Sequence, residues 1–370
     1  MNNLRTACLK FAGPLALALA AVALPAAGSS AQTARAPQPS TGGKILFQST
    51  QGSDTFVNEI YTMDGDGKRQ TRLTYNEFDD TTPVWSPDGS KVAFLSERGA
   101  GYDIYLMNAD GTGEHALRDA AHGGPLNTVN LQWSPDGTKI IYSDGGKIYV
   151  VEAVAPGGGD STAPVQNLSA SAPSYAYDVN PAWSPDGSQI AFVTYGCLSC
   201  STPDLFTMNA DGTGRTQLTT TSEAEYDPVW SPMGGSIAYG SLRGGGRNVY
   251  VINANGTGDH LLTAGVSDAD SHAWSPDGSR VAFNSTGPVG IPRRGVYAIN
   301  ADGTGLTFLA EQGDTSYPIL WSPDGTRLVT HISNDTNSID VIAFAADGSS
   351  RHATNLTKTK KADEFAYSWR

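Results

Sequence analysis

Residues 84–95, Val84-Trp85-Ser86-Pro87-Asp88-Gly89-Ser90-Lys91-Val92-Ala93-Phe94-Leu95 (VWSPDGSKVAFL), read as two short strands joined by a tight turn. Pro87 presets one backbone angle, Gly89 accepts positive φ, and the Asp88 carboxylate between them can take local N–H bonds. Residues 91–95 alternate in the period of a β-strand. Further along, residues 96–101 loop and residues 103–107 (DIYLM) make a third strand. Residues 108–113 (NADGTG) turn the chain again, and a short strand near Ala116 and Leu117 ends the unit. Four short antiparallel strands make a small sheet that cannot bury both of its faces alone.

The unit repeats. Trp-Ser-Pro occurs at Trp85, Trp133, Trp183, Trp230, Trp274 and Trp321, and Ser368-Trp369 stands near the end of the chain. Successive tryptophans are 48, 50, 47, 44, 47 and 48 residues apart. A period of this size with four strands per repeat is the mark of a propeller blade. No window sustains the 3.6-residue period that a helical solenoid needs. Seven second strands begin near Ile45, Val92, Ile140, Ile190, Ile237, Val281 and Leu328. The first unit lacks a tryptophan strand, and the last residues supply a strand without a unit. The chain is therefore expected to be all-β: a seven-bladed β-propeller of four-stranded antiparallel blades, its ring closed by the C-terminal strand joining blade one.

Composition agrees. Glycine and proline together make 63 of 370 residues, the net charge is −13, and 24 basic residues face 37 acidic ones. Such a balance speaks against a nucleic-acid partner, which requires clustered Lys and Arg. Residues 1–31 read as a signal peptide: Arg5 and Lys10 precede the apolar run 15–24 (LALALAAVAL), and small residues stand before a cleavage point placed after Ala31. Residues 32–43 (QTARAPQPSTGG) read as a disordered leader, and 44–370 as the propeller. The expected product is a periplasmic or secreted monomer with no transmembrane anchor after signal cleavage. Of the three cysteines, Cys197 and Cys200 follow the signal, spaced Cys-x-x-Cys. A local disulfide is expected for an oxidising compartment, with two free thiols or a zinc pair as alternatives; no second Cys/His pair at metal spacing accompanies them.

Pro-x-Trp-Ser-Pro-Asp-Gly-x-x-Ile-Ala-Phe, then Asp-Ile-Tyr-x-Met-Asn-Ala-Asp-Gly-Thr-Gly and Leu-Thr, resembles the TolB-type (WD-like) propeller repeat of bacterial envelope proteins over essentially the whole mature chain. The resemblance implies that the tryptophan strand is innermost.

Strand direction then sorts the loops. The Pro-Asp-Gly and Asn-Ala-Asp-Gly turns fall on one face, and the variable connections fall on the other. The turn aspartates (Asp88, Asp136, Asp186, Asp277, Asp324, Asp110, Asp211 and Asp302) are expected to be structural, as is Asp64-Gly-Asp66-Gly, which lacks the distal glutamate of a calcium loop. The tryptophans are expected to pack between blades. The variable face, by contrast, gathers acid where the tryptophan strands begin: Asp79, Asp80, Asp178, Glu225, Asp227, Asp268, Asp270, Asp314, Asp363 and Glu364, with His272 beside them. These residues are expected to ring the channel mouth and attract a cation or basic peptide, or to form a solvated acidic rim. Arg98, Arg243, Arg247, Arg293 and Arg294 on the outer loops would make the docking surface mixed in charge.

No Gly-x-Ser-x-Gly elbow, phosphate loop or His-Glu-x-x-His motif occurs. The expectation is a non-enzymatic scaffold without cofactor that binds an envelope or secreted protein, or a peptide, at the variable face. Two alternatives stand beside it. One is a carbohydrate-active enzyme resembling the manganese-dependent oligogalacturonate lyases, with His272 and His331 as the only nominees for ligands. The other is a scaffold stabilised by calcium at the acidic mouth.

Overall fold

The computed structural model describes residues 43–51, 57–98, 101–117, 130–153, 164–174, 176–196, 202–311, 318–333, 338–350, 352–359 and 362–370. The expected signal, almost all of the leader, Cys197, Cys200 and Asp314 lie outside the described residues.

Each Trp-Ser-Pro-Asp-Gly segment closes on itself. Ser86 Oγ donates to Asp88 Oδ1 at 2.6 Å, Ser90 N–H donates to the same oxygen at 3.0 Å, and Lys91 N–H donates to Ser86 Oγ at 3.0 Å. The serine–aspartate bond recurs at Ser134, Ser184, Ser275 and Ser322. These bonds favour the ionised carboxyl, and they hold Asp88 and Asp186 down to about 2. In the fifth blade Met233 replaces the aspartate and stands exposed, and its N–H donates to Ser231 Oγ at 3.3 Å.

The strands form seven four-stranded antiparallel blades. From the axis outward, blade one holds Glu364–Trp369, Lys44–Ser49, Glu59–Asp64 and Thr71–Arg72. Blade two runs Asp80–Trp85, Lys91–Glu97, Tyr102–Asn108 and His115–Ala116, and blade three runs Gln132–Trp133, Lys139–Asp144, Lys147–Glu152 and Val165–Asn167. Blade four holds Tyr177–Trp183, Gln189–Tyr195, Asp204–Asn209 and Thr216–Gln217. Blade five holds Glu225–Trp230, Ser236–Ser241, Asn248–Asn253 and His260–Leu261. Blade six holds Asp270–Trp274, Arg280–Ser285, Gly295–Asn300 and Thr307–Glu311, and blade seven holds Leu320–Trp321, Arg327–Ser333, Ile339–Ala345 and Thr354–Asn355. No helix occurs among the described residues.

The C-terminal strand completes blade one: Ile45 pairs with Trp369 and Ser49 with Glu364. Among the described residues one element lies outside the repeat. Val266–Ser267 pairs with Gly287–Pro288 as a two-stranded ribbon between the inner strand of blade six and its long second loop. Turn spacing alone carries no signal for this pairing.

The core divides at the blade interfaces. Trp133 packs with Ala93, Leu95, Ile104 and Leu106 of the preceding blade, and Trp230 likewise with Ala191 and Leu205 of blade four. Trp274, Trp321, Trp85, Trp183 and Trp369 repeat the arrangement. Four indole N–H groups also donate to the inner strand of the preceding blade: Trp133 to Val84 O, Trp230 to Ala182 O, Trp274 to Val229 O and Trp321 to Ala273 O, at 3.0–3.2 Å. The tryptophan thus joins one blade to the next by area and by a directed bond.

Candidate functional site

The inner strands are bulged, and the bulge decides which side chains face the channel. Register shifts fall between Thr81 and Val84, Val179 and Ala182, Tyr226 and Val229, and Asp270 and Ala273. At each bulge a non-glycine residue takes left-handed backbone: Thr82, Asn180, Asp227 and Ser271, with φ of 49–53°. Recurrence in four blades marks this strain as part of the architecture. Asn180 and Asp227 meet across the seam of blades four and five, Nδ2 donating to Oδ1 at 2.6 Å.

Most carboxylates at the start of these strands are turned away from the mouth and tied into their own blades. Asp178 is fully buried; it accepts Ser169 Oγ at 2.7 Å, Thr194 Oγ1 at 2.8 Å and both terminal nitrogens of Arg215 at 2.8 Å. Arg215 is itself stacked on Phe192 and Phe206. Glu225 accepts Thr219, Thr221 and Ser241 hydroxyls, with Arg243 at 3.7 Å. Asp80 accepts the Ser96 hydroxyl and Asn76 Nδ2, with Arg98 at 4.0 Å. Glu364 accepts Thr359 Oγ1 at 2.6 Å and Ser49 Oγ at 3.4 Å. Asp79 accepts the Asn58 and Tyr102 donors, and Asp363 accepts the Ile339 N–H. Burial raises Asp80, Glu225 and Glu364 above the usual carboxyl range, the last to about 7. Arg98, Arg243 and Arg293 lie on Tyr105, Tyr250 and Phe308. The expected ring of displayed acid is thus largely a set of internal clamps, because strand alternation turns the first position inward.

The exception lies at the seam of blades five and six. A cavity of about 390 Å³ is lined by Tyr226, Asp227, Leu242, Arg247, Asp270 and Ser271. Arg247 reaches across from the second loop of blade five to Asp270 Oδ2 at 2.7 Å, and its side chain stays 56% exposed. The other oxygen, Asp270 Oδ1, is buried with no hydrogen-bond partner, and so is the Tyr226 hydroxyl. Asp270 as a whole is 5% exposed. Asp227 and Asp268 are exposed beside it. Burial, and then the charge of Asp270, push the Tyr226 phenol up, while the Asp270 bond holds Arg247 charged. His272 is buried behind them, and burial pushes its imidazole down despite the nearby Asp227. Of the expected site residues, Asp227, Asp268, Asp270 and His272 are the four brought together.

Tyr226, missing from the sequence-level candidates, had one signal. It pairs with Gly240, where the matching positions of blades two and four carry Leu95 and Val193. A Cβ at Gly240 would sit 2.1 Å from the Tyr226 ring, so the glycine makes room for the aromatic wall of the pocket. At the turn end of the channel a second cavity, about 490 Å³, is bordered by Trp230, Trp274, Trp321, Trp369 and Arg370.

Among the described residues no group of three or more His, Cys, Asp or Glu could hold a metal ion. The two histidines nominated for a lyase-like manganese site do not fit one. His331 Nε2 accepts the Ala366 N–H at 2.6 Å in the closing seam, apart from the cavity at His272.

Three similarities place the chain among known proteins. An uncharacterized peptidase, YuxL of Bacillus subtilis (strain 168), is 31% identical over 109 residues, which is 29% of this chain and 16% of that protein. The crystal structure of TolB from Acinetobacter baumannii superposes with a TM-score of 0.55 at 17% identity, covering 88% of this chain and 66% of that one. An oligogalacturonate lyase from Vibrio parahaemolyticus superposes with a TM-score of 0.63 at 16% identity over 85% of both chains. The chain thus matches well under two thirds of the peptidase's length, and the structural likenesses show the fold. They also correct the expectation of a non-enzymatic chain: this propeller is one that enzymes carry. Sequence motifs misjudge the point because one fold hosts many functions, and the absence of a few familiar motifs does not decide among them. The model of the TolB beta propeller domain matches residues 18–176 and 165–368, and with seven tryptophan-joined blades in place, the chain belongs to that family.

Proposed function

We propose that this chain is an exported propeller, periplasmic or secreted, that binds a polypeptide partner on its variable-loop face, with the cavity between blades five and six at the centre of contact. One observation supports the reading. Asp270 Oδ1 and the Tyr226 hydroxyl are buried without partners in two residues that line the same cavity. A buried polar atom left unpaired costs about 1–3 kcal/mol, and a ligand that bonds it removes that cost. The wall is rigid, since Tyr226 and Asp270 sit on paired strands, while Leu242 and Arg247 stand on the loop between strands of blade five. Binding of this kind serves a free-standing scaffold or a chain that also performs chemistry.

A photoreactive residue placed at Leu242 tests the proposal in the native envelope. We expect a discrete polypeptide adduct that Asp270→Asn abolishes. No adduct, or one unchanged in Asp270→Asn, overturns it.

A further inference from the structure

We infer that the polypeptide recognised here presents a lysine, whose ammonium group enters the cavity and bonds Asp270 Oδ1; this rests on the binding role proposed above. Charge points first to a cation. Asp227 and Asp270 line the cavity, Asp268 acts on the same Tyr226 and Arg247, and Arg247, the one basic side chain of the lining, already spends one nitrogen on Asp270 Oδ2. The open valences point to a donor. A carboxylate oxygen accepts only, and an ammonium brings three hydrogens and no acceptor.

Depth selects the stem. Asp270 is 5% exposed, so a cation must reach it at the end of a slender chain. The path runs past the Tyr226 ring and the side chain of Leu242, which is 42% exposed, and a four-carbon lysine stem covers such apolar surface while its head is paired. A backbone ammonium lacks that reach, and a second guanidinium would bring its wider planar fork against Arg247. The loop that follows the ribbon strand Gly287–Pro288 carries Val289 and Ile291, each 70% exposed. Its partner strand Val266–Ser267 leads directly into Asp268. An apolar residue next to the lysine therefore has a surface to cover.

The test is a screen of the purified full chain against a random hexapeptide library on beads with acetylated N-termini, followed by solution binding of the selected peptides. We expect lysine to be enriched at one position. Acetylating its ε-amine should weaken binding at least about tenfold, as should the exposed pair of changes Asp227→Asn and Asp268→Asn, which leave the core untouched. Selected peptides without lysine, or with arginine in its place, or binding equally after ε-acetylation, overturn the inference. If such peptides still compete with crosslinking at residue 242, polypeptide binding stands without the lysine. If no peptide is selected or none competes, the inference falls along with the binding role.

Discussion

His331 Nε2, in the second strand of blade seven, accepts the backbone N–H of Ala366, in the closing strand of blade one, at 2.6 Å. The ring lies 5.4 Å from that of Phe365 and is 1% exposed. A side chain thus satisfies a backbone donor where the inner strand is bulged and the two chain ends meet.

That bond makes the closure sensitive to acid. Burial pushes His331 down to about 4, against an ordinary value near 6.5. Above pH 6.5 the neutral ring contributes fully. As pH falls from 6.5 to 4 the unfolded chain takes up a proton that the folded chain refuses, and about 3 kcal/mol is lost. Urea midpoints at pH 7 and 4.5 should therefore fall more steeply for the native chain than for His331→Gln. Parallel slopes would remove this role.

Glu364 acts with the opposite sign. Its folded value near 7 means that its contribution is present below about pH 4.5 and is lost as pH rises to 7, again by about 3 kcal/mol. Glu364→Gln keeps an acceptor for Thr359 without the buried charge. We expect it to be more stable than the native chain at pH 8 and close to it at pH 4.5, by thermal melting at both.

Removing residues 363–370 strips blade one of its inner strand and exposes the pairing edge of Lys44–Ser49. We expect loss of cooperative unfolding or a melting temperature lower by more than ~10 °C. An unchanged melt would show that the ring does not depend on this strand.

Trp230 and Trp183 fill equivalent seams, yet Trp230 Nε1 donates to Ala182 O at 3.0 Å while Trp183 Nε1 is buried without a partner. Replacement of either by alanine should cost about 3–5 kcal/mol. Replacement by phenylalanine should separate them, Trp230→Phe costing about 1 kcal/mol more than Trp183→Phe in denaturant titrations.

Gly240→Ala carries the pocket prediction. The new methyl forces the Tyr226 ring off the strand without altering any charge. We expect a destabilisation of about 1–3 kcal/mol, with crosslinking at residue 242 reduced several-fold. Full stability together with full crosslinking would show that the ring does not shape the site.

Local chemistry and counting made the fold readable. Pro-Asp-Gly turns, period-two strands and seven tryptophans at nearly equal spacing are short-range signals, and a closed ring adds one condition, that no blade lack a strand. The site was readable only as composition. Asp178 and Asp270 both belong to inner strands, but Asp178 stands five residues before Trp183 and Asp270 four before Trp274, an offset of one that composition does not register. Asp178 is saturated by Ser169, Thr194 and Arg215, whereas Asp270 keeps one oxygen unbonded beside a cavity. That difference depends on the one-residue offset, which strand alternation turns to another side, on which arginine the neighbouring loop delivers, and on Gly240 giving way to Tyr226. Sequence by itself determined the repeat, the ring and where acid would collect. Only the tertiary structure decided which acids are saturated clamps and which keep an unbonded oxygen, because strand bulges and the side chains delivered by neighbouring strands and loops set that choice.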